Sequence, residues 1–380
     1  NSDAKPSEHK GSAEHQRVLC QPGAARGPFH RAADRPDLCS MEIVEMSLAP
    51  ISPGLKIALQ ISPEPSEDDL ALAQQMGIEY AVLWTNAEKS SPEYYASRKE
   101  LFARHGITVY GFGNGSVHNQ DAITLGLPNR DAKIEEYKRH IRALGKAGIP
   151  YTTYAHMANG IWSTEREFTR GGAPARAFDL SKAEKGSWGG TEYKMPLTHE
   201  RVYTQDEIWE NFDYFIRQVA PVAEEAGVRI GIHPDDPPVP ELGGIPRCIF
   251  GSFEGYRRAL ELANSPNIGM CLCVGCWLEG GELMGKDVPE TIRYFGERKK
   301  LFKVHFRNVH QPLPYFVETF LDNGYYDMYK VMRALREVNF NGVIIADHLP
   351  LMGKDHRIST AYAIGYMKAL VERANAEFAG

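Results

Sequence analysis

The fold is decided by the stretch Val228-Arg229-Ile230-Gly231-Ile232-His233-Pro234-Asp235-Asp236-Pro237-Pro238. Its first half is short and mostly apolar, as expected for a strand buried on both faces of a parallel sheet. Its second half can neither extend a strand nor begin a helix, because the prolines fix the backbone and remove N–H donors. The stretch therefore predicts a buried strand followed by a rigid loop, with imidazole and carboxylate side chains at the strand's exit.

The same alternation of a short apolar run and an amphipathic helical segment continues along the chain in both directions. Glycines such as Gly77 and Gly227 follow helical segments directly before the next strand, where a helix commonly ends. Eight such units predict an α/β fold of the (β/α)8 TIM-barrel type. A doubly wound open sheet is less well supported, since no Gly-rich fingerprint follows the first strand. The predicted strands are 55–61, 78–84, 107–112, 149–154, 228–233, 268–274, 302–309 and 343–347.

Composition excludes several classes of partner. The 380-residue chain carries a formal net charge of -6, which argues against binding to nucleic acid or to an anionic membrane. No apolar run is long enough to span a bilayer, which takes about 18 residues or more. The six cysteines do not form the spacing of a disulfide framework in a chain of this length. We therefore expect reduced thiols, a cytoplasmic location and a small-molecule substrate.

Two regions stand apart from the repeating pattern. Residues 1–50 lack periodicity, and we expect this leader to be poorly structured, which leaves 51–380 as a single catalytic domain. The fourth unit contains a long insertion, about 158–203, between its strand and its helix. Connections of this length are usually functional lids or oligomer contacts, so a homodimer or higher homo-oligomer is expected. A surface insertion without function remains the alternative.

Potential metal ligands occur at four consecutive strand ends. His233 ends the fifth predicted strand, Cys273 lies near the end of the sixth, His305 lies in the seventh, and Asp347 ends the eighth. In such barrels the active site lies at the carboxyl ends of the strands, and consecutive strands are neighbours. Two imidazoles, a thiolate and a carboxylate suit a divalent transition metal better than calcium or magnesium. The sequence therefore predicts a metal centre there.

Alternatives to these ligands remain open. Cys271 and Cys273 have the same parity along a strand, so alternation cannot separate them. We choose Cys273 because it lies nearer the carboxyl end. Cys271, Cys273 and Cys276 could instead bind zinc, but this cluster lacks the paired spacing of a structural zinc site.

Further residues near the strand ends carry acid, base or anion-binding groups. Arg307 shares the face of the histidine two residues earlier, where a guanidinium could hold a substrate carboxylate through two hydrogen bonds. Pairing of Arg307 with a protein carboxylate is the alternative. His348 follows Asp347 as the chain leaves the barrel, which suits an acid or base. Asp235 and Asp236 are either further acid/base groups or loop formers.

Seven segments occur in a fixed order along the chain, between Gly126 and His348. They are Gly126-Leu127-Pro128-Asn129-Arg130-Asp131, Leu144-Gly145-Lys146-Ala147-Gly148-Ile149-Pro150, the loop 232–238, the run from Asn267-Ile268-Gly269 to Cys273, Val304-His305-Phe306-Arg307-Asn308-Val309, Asp327-Met328-Tyr329 and Asp347-His348. Together they closely resemble the mannonate dehydratases of the xylose-isomerase-like TIM-barrel superfamily. The order of all seven is far more specific than any one motif.

The resemblance implies a metal-dependent dehydration of D-mannonate, a sugar acid, to 2-keto-3-deoxy-D-gluconate. The metal it implies is Mn2+, with Co2+, Fe2+ or Zn2+ as other candidates. It also implies that His348 acts as a catalytic acid or base and that His118 contacts substrate. From the residues themselves we add Asp235 and Arg307 to the predicted catalytic groups. We add Asn308, next to Arg307, to the predicted substrate-binding residues. The metal ligands that the resemblance implies are His233, Cys273, His305 and Asp347.

Two alternatives to this activity come from the residues themselves. Where the family continues Asp-His with Gly-Arg, this chain has Leu349-Pro350, which would suit a lyase acting on another aldonate or a keto-sugar. A metal-dependent sugar isomerase or epimerase could use the same barrel. Such enzymes typically bring glutamates to their metal, and none of the eight predicted strand ends offers a clear Glu.

Overall fold

Eight parallel strands form the central sheet of the computed structural model, which describes residues 51 and 53–379. The order around the sheet is β3-β2-β1-β8-β7-β6-β5-β4. At its two ends, Thr152 Oγ1 of β4 donates to the carbonyl of Phe112 in β3 at 2.8 Å. The sheet is thereby a nearly closed barrel, and the predicted (β/α)8 fold is confirmed. The strands are β1 (Lys56–Ile61), β2 (Tyr80–Thr85), β3 (Thr108–Asn114), β4 (Tyr151–Tyr154), β5 (Arg229–Ile232), β6 (Ile268–Cys273), β7 (Leu301–Phe306) and β8 (Val343–Ala346).

Helices alternate with the strands and cover the outside of the barrel. The longest that precedes β5 begins at Thr204, whose side chain accepts from the backbone of Glu207 while Glu207 bonds back to Thr204. This reciprocal capping box satisfies two backbone donors that the first turn leaves unpaired. The helices are α1 (Glu67–Gln75), α2 (Pro92–Arg104), α3 (Asp121–Leu125), α4 (Arg130–Lys146), α5 (Gln205–Ala226), α6 (Phe253–Ala263), α7 (Val274–Gly280), α8 (Val288–Glu297), α9 (Met328–Glu337) and α10 (His356–Glu377).

The seventh predicted strand, 302–309, is divided in the structure. β7 ends at Phe306, and Asn308–Val309 forms a separate short strand that pairs antiparallel with Tyr315–Thr319. The break falls at Arg307, whose side chain is fully buried. The chain therefore leaves the barrel earlier than its apolar pattern predicts and folds back over the carboxyl end.

The insertion fills the connection between β4 and α5, residues 155–204. Its strand Ala177–Asp179 pairs antiparallel with Tyr315–Thr319, the strand that follows β7. This strand pairing holds the insertion at the carboxyl end of the barrel. The short strands of the insertion are Ile161–Trp162, Glu167–Thr169, Ala173–Ala175, Ala177–Asp179, Lys185–Trp188 and Thr191–Lys194.

All described residues belong to one of two compact units of the chain, Met46–Gly380. The predicted leader, residues 1–50, lies outside the described residues. Among the helices that the structure describes, none combines the length and apolar character needed to cross a membrane.

Candidate active site

The four predicted ligands converge at the carboxyl end of the barrel. Neighbouring strands β6 and β7 pair Cys273 with His305 in register, and Asp347 follows β8 directly. His305 Nδ1 lies 3.5 Å from Asp347 Oδ1, and Cys273 Sγ lies 3.7 Å from Asp347 Oδ2. The His233 and His305 rings are 4.9 Å apart between centroids. Cys273 joins two groups of ligand atoms that each lie within 4.8 Å of one another, one with His305 and Asp347 and one with His233 and Cys276.

The donor atoms at this point fit a bound metal ion. Both ring nitrogens of His305 are buried and have no hydrogen-bond partner among the described residues. His233 Nδ1 donates to the Pro234 carbonyl at 2.7 Å, which fixes the ring and leaves Nε2 as the ring atom that could bind a metal. Buried polar atoms without partners are costly, by about 1–3 kcal/mol each. A divalent cation held by His233, Cys273, His305 and Asp347 would remove that cost at His305.

Two of these residues are poised as anions. Burial raises the pKa of the Cys273 thiol, but a hydrogen bond from Cys276 and the charge of Arg307 outweigh it and bring that pKa well below its usual value. The pKa of Asp347 is likewise held well below its ordinary range, because His348 and His305 outweigh the effect of burial. Metals bind the deprotonated forms of both side chains. Cys271 lies deeper, opposite Lys303 in the sheet, and belongs to neither group of ligand atoms.

Beside the ligands, Arg307 is enclosed by protein carboxylates. Its guanidinium is fully buried and contacts Glu318, with further contacts to Glu279 Oε1 at 3.0 Å and Asp236 Oδ2 at 3.3 Å. Its Nε also lies 3.2 Å from Asp347 Oδ2. These contacts favour the alternative interpretation, pairing of Arg307 within the protein, and its contact with a substrate carboxylate stays a prediction.

A second arginine, from the insertion, reaches the same carboxylates. Arg176 Nη2 donates to Asp236 Oδ1 at 2.5 Å and Nη1 donates to Glu318 Oε1 at 3.0 Å. Burial raises the pKa of Glu279 to about 8 although Arg307 lies beside it, which favours the neutral carboxyl. Asp236 and Glu318 each contact both guanidiniums. We call Arg176, Arg307, Asp236, Glu279 and Glu318 the arginine–carboxylate network.

A cavity of about 160 Å3 opens above the ligands. A larger groove, of about 470 Å3, lies at the opposite end of the barrel beside Tyr294 and Lys300 and contains none of the predicted ligands. On its metal side the cavity is lined by His233, Asp236, His305, Asp347 and His348. The barrel residues of its other side are Gln60, Trp84, His118 and Thr153, and the insertion adds Met157, Ile161 and Trp188.

The two predicted histidines of the cavity have opposite electrostatic surroundings. His348 Nδ1 lies 2.9 Å from Glu318 Oε1, and although burial lowers the pKa of His348, Asp347 and Glu318 raise it to about 9. His118 is buried, and burial lowers its pKa to about 3. Its Nδ1 has no hydrogen-bond partner among the described residues. These surroundings therefore favour the protonated form of His348 and the neutral form of His118.

The sequence of the barrel matches a known family of enzymes. The D-mannonate dehydratase (UxuA) family pattern covers residues 70–375. The chain belongs to the mannonate dehydratase family. The predicted relationship and the predicted enzyme class, a lyase, are confirmed. The matched region contains every predicted metal ligand but begins after β1.

Individual mannonate dehydratases are similar over most of the chain. The enzyme of Oceanobacillus iheyensis is 32% identical over 289 residues, which cover 70% of this chain and 77% of the relative. That of Thermotoga neapolitana is 33% identical over 277 residues, covering 66% and 75%. The crystal structure of the mannonate dehydratase from Streptococcus suis serotype 2 superposes with a TM-score of 0.73 at 26% identity, covering 86% of this chain and 96% of that one. An L-ribulose 3-epimerase, 14% identical with a TM-score of 0.56, shares the fold.

In this member of the mannonate dehydratase family, two residues with a predicted role in the site, Asp235 and Asn308, are not among the residues that line the cavity. Asp236 lines the cavity, whereas Asp235 is not among its lining residues, and the catalytic role of Asp235 stays a prediction. Asn308 Nδ2 donates to the carbonyls of Leu321 and Tyr326 at 3.1 and 2.9 Å, and its Oδ1 accepts from the Val309 N–H. Its polar atoms therefore hold the loop after β7, and its contact with substrate stays a prediction.

The sequence prediction missed several residues of the mannonate dehydratase site. Gln60 and Trp84 lie near the carboxyl ends of β1 and β2, so the rule that found the metal ligands could also have found them. Arg176, Glu318 and Trp188 come from the insertion and from the loop after β7. No local pattern marks them, because their places depend on the pairing of those two segments.

Proposed function

We propose that this chain dehydrates D-mannonate to 2-keto-3-deoxy-D-gluconate with the help of a divalent metal ion. The convergence of four ligand residues on unpaired, buried His305 nitrogens carries the proposal, together with membership of the family. The cavity volume supports a small substrate, since about 160 Å3 equals the space of about five water molecules at about 30 Å3 each. A polymer would not enter it.

The proposed metal is manganese, which the family resemblance favours. Its ligands would be His233, Cys273, His305 and Asp347, a set that also suits cobalt, iron(II) or zinc. When bound, the metal would stabilise negative charge that develops on the substrate's carboxylate as the C2 proton leaves.

Proton transfers are assigned to the two histidines of the cavity. Dehydration breaks the C2–H bond and the C3–O bond, releases water, and leaves an enol that collapses to the 2-keto-3-deoxy acid. His348, ion-paired with Glu318 at the rim, gives a proton to the departing C3 hydroxyl. His118, whose Nδ1 has no partner among the described residues, takes the C2 proton. The raised pKa of His348 matches the role of an acid, whereas the lowered pKa of His118 keeps this ring unprotonated but makes it a weak base.

Arg307 acts in this proposal as a positioning residue. Its Nη2 lies 3.1 Å from Cys273 Sγ, and its Nε lies 3.2 Å from Asp347 Oδ2. The guanidinium therefore fixes two anionic ligands, while Asp236 and the rest of the arginine–carboxylate network fix the guanidinium. Asp236 takes the place that the sequence assigned to Asp235 at the cavity wall.

The second candidate, a sugar isomerase or epimerase, is less well supported. No glutamate lines the cavity among the described residues, whereas that chemistry typically uses carboxylates as both ligands and bases. Similar epimerase structures, at 14% identity, share only the fold.

Product formation tests the proposal directly. Metal-free protein is loaded with manganese, and in parallel with cobalt or zinc, and incubated with D-mannonate. We expect metal-dependent formation of 2-keto-3-deoxy-D-gluconate, followed by chromatography against an authentic standard. Protein that retains metal but converts only another aldonate, or only a keto-sugar, would overturn the assignment of the substrate.

The proposal also covers the cellular location, the domain organisation and the oligomeric state of the enzyme. The described cysteines, Cys248, Cys271, Cys273 and Cys276, are all free thiols, which supports a reducing cytoplasmic location. We propose that residues 51–380 act as one catalytic domain and that the insertion mediates homodimer formation. Sedimentation equilibrium of the full chain and of a variant lacking residues 1–50 would measure both.

A further inference from the structure

One polar atom in the cavity wall has no protein partner. Trp188 ends the strand Lys185–Trp188 of the insertion, and its ring lines the cavity. Its Nε1 is buried and makes no hydrogen bond to any described residue. An indole N–H can only donate, and a buried donor without an acceptor destabilises a protein. The N–H therefore lacks an acceptor, which a ligand in the cavity could supply.

The orientation of this ring is set by packing and by the backbone. Trp188 packs against His118 with ring centroids 5.1 Å apart. Its strand turns back through Gly189 and Gly190, both with positive φ, so that Trp188 pairs with Thr191. A Cβ atom added to Gly160 would come within 2.7 Å of Trp188 Cβ, so Gly160 is what allows the close approach. The indole is thus held in place without the use of its N–H.

Other tryptophans of the chain use the same group within the protein. Trp84 Nε1, in the same cavity wall, donates to Gln60 Oε1 at 3.1 Å. Trp162 Nε1, in the insertion, donates to the Asn159 carbonyl at 3.1 Å. Unlike these two groups, the Trp188 N–H has no acceptor among the described residues, which indicates that a ligand supplies one.

We infer that Trp188 is a specificity-determining residue whose indole N–H donates to a hydroxyl oxygen on the distal half of the sugar-acid chain. The inference rests on the proposed function, which places the carboxylate, C2 and C3 at the metal ligands. His118 lies within electrostatic reach of His233 and His305, and Trp188 packs against His118. Among the described aromatic rings, Trp188 packs against His118 and not against His233 or His305, and on this basis we place it beside the C5 and C6 hydroxyls.

A substrate series combined with Trp188→Phe tests this inference. Phenylalanine keeps an aromatic ring against His118 but removes the donor. D-Mannonate is compared with the same acid lacking its C5 hydroxyl and with the acid lacking its C6 hydroxyl. For D-mannonate we expect kcat/KM to fall about three- to tenfold, mainly through a higher KM. The reason is that the lost hydrogen bond is made equally in the enzyme–substrate complex and in the transition state. For one deoxy acid the substitution should change nothing, since its partner hydroxyl is already missing.

A matched substitution controls for the loss of an indole. Trp209→Phe lies on α5 outside the cavity, where Arg258 covers the ring. It should leave all three substrates unchanged. Equal losses for all three acids with Trp188→Phe would overturn the inference, since the ring would then only shape the wall. No loss for any acid would also overturn it, because water would serve the N–H equally well.

Calorimetry separates this inference from the proposed function. If the manganese-loaded wild type gives no product from D-mannonate, the proposed function fails, and binding of the three acids is measured instead. Weaker binding of D-mannonate to Trp188→Phe, with one deoxy acid unaffected, would still support the role of Trp188. Unchanged binding, or no binding of any of the acids to the wild type, would overturn it.

Discussion

The two sides of the cavity are built in different ways. The metal side comes from the ends of β5 to β8, where successive strands place His233, Cys273, His305 and Asp347 at one level of the barrel. The other side comes from β1, β2, β4, the loop after β3 and the insertion. The strand ends of the barrel therefore supply the proposed metal ligands, and the insertion shapes the space beside them.

The largest expected effect is on the metal side. Cys273→Ala removes a thiolate shared by both groups of ligand atoms, so we expect loss of bound metal and of all metal-dependent turnover. Metal content is measured by mass spectrometry after dialysis. Cys271→Ala is the matched control and should retain metal, since Cys271 belongs to neither group. Full metal content in Cys273→Ala would assign the ligand to another group.

The second prediction separates proton transfer from metal binding within the same side. His348→Ala should keep its metal and lose about 10²- to 10⁴-fold in kcat, because a group that transfers a proton is removed while the four ligands stay. His356→Ala, an exposed histidine at the start of α10, serves as the control and should retain activity. Metal loss from His348→Ala would show that the two functions are not separable.

The difference between the two sides also explains what the sequence could predict. Strand ends recur at each βα unit, so the ligands could be located from local apolar runs and spacing alone. The partners of Arg307 could not, because Glu318 and Arg176 come from a loop and an insertion that meet only through strand pairing. Asp235 and Asp236 are adjacent in one loop, and only the folded backbone decides which of them faces the cavity.

The third prediction concerns the arginine–carboxylate network, where the two sides meet. Arg307→Met leaves Glu318 and Asp236 buried without one of their cations, and we expect the free energy of unfolding to fall by about 3–5 kcal/mol. Denaturant unfolding measures this change. Arg257→Met removes two more exposed ion pairs on α6, with Glu254 and Glu261, and should leave the free energy of unfolding nearly unchanged. Similar losses in both variants would mean that the network contributes little to stability.

The smallest expected effect lies at the far end of the insertion, where Thr204 caps α5. Thr204→Ala removes the acceptor for the Glu207 N–H and should lower stability by about 1 kcal/mol, a shift in Tm of about 2 °C. Thr204→Ser keeps the hydroxyl and should restore most of the loss. Because the cap touches neither the ligands nor the cavity, metal content and KM should stay at wild-type values. A changed KM would show that destabilising the insertion alters substrate binding. An unchanged KM would show that substrate binding depends only on the residues that line the cavity.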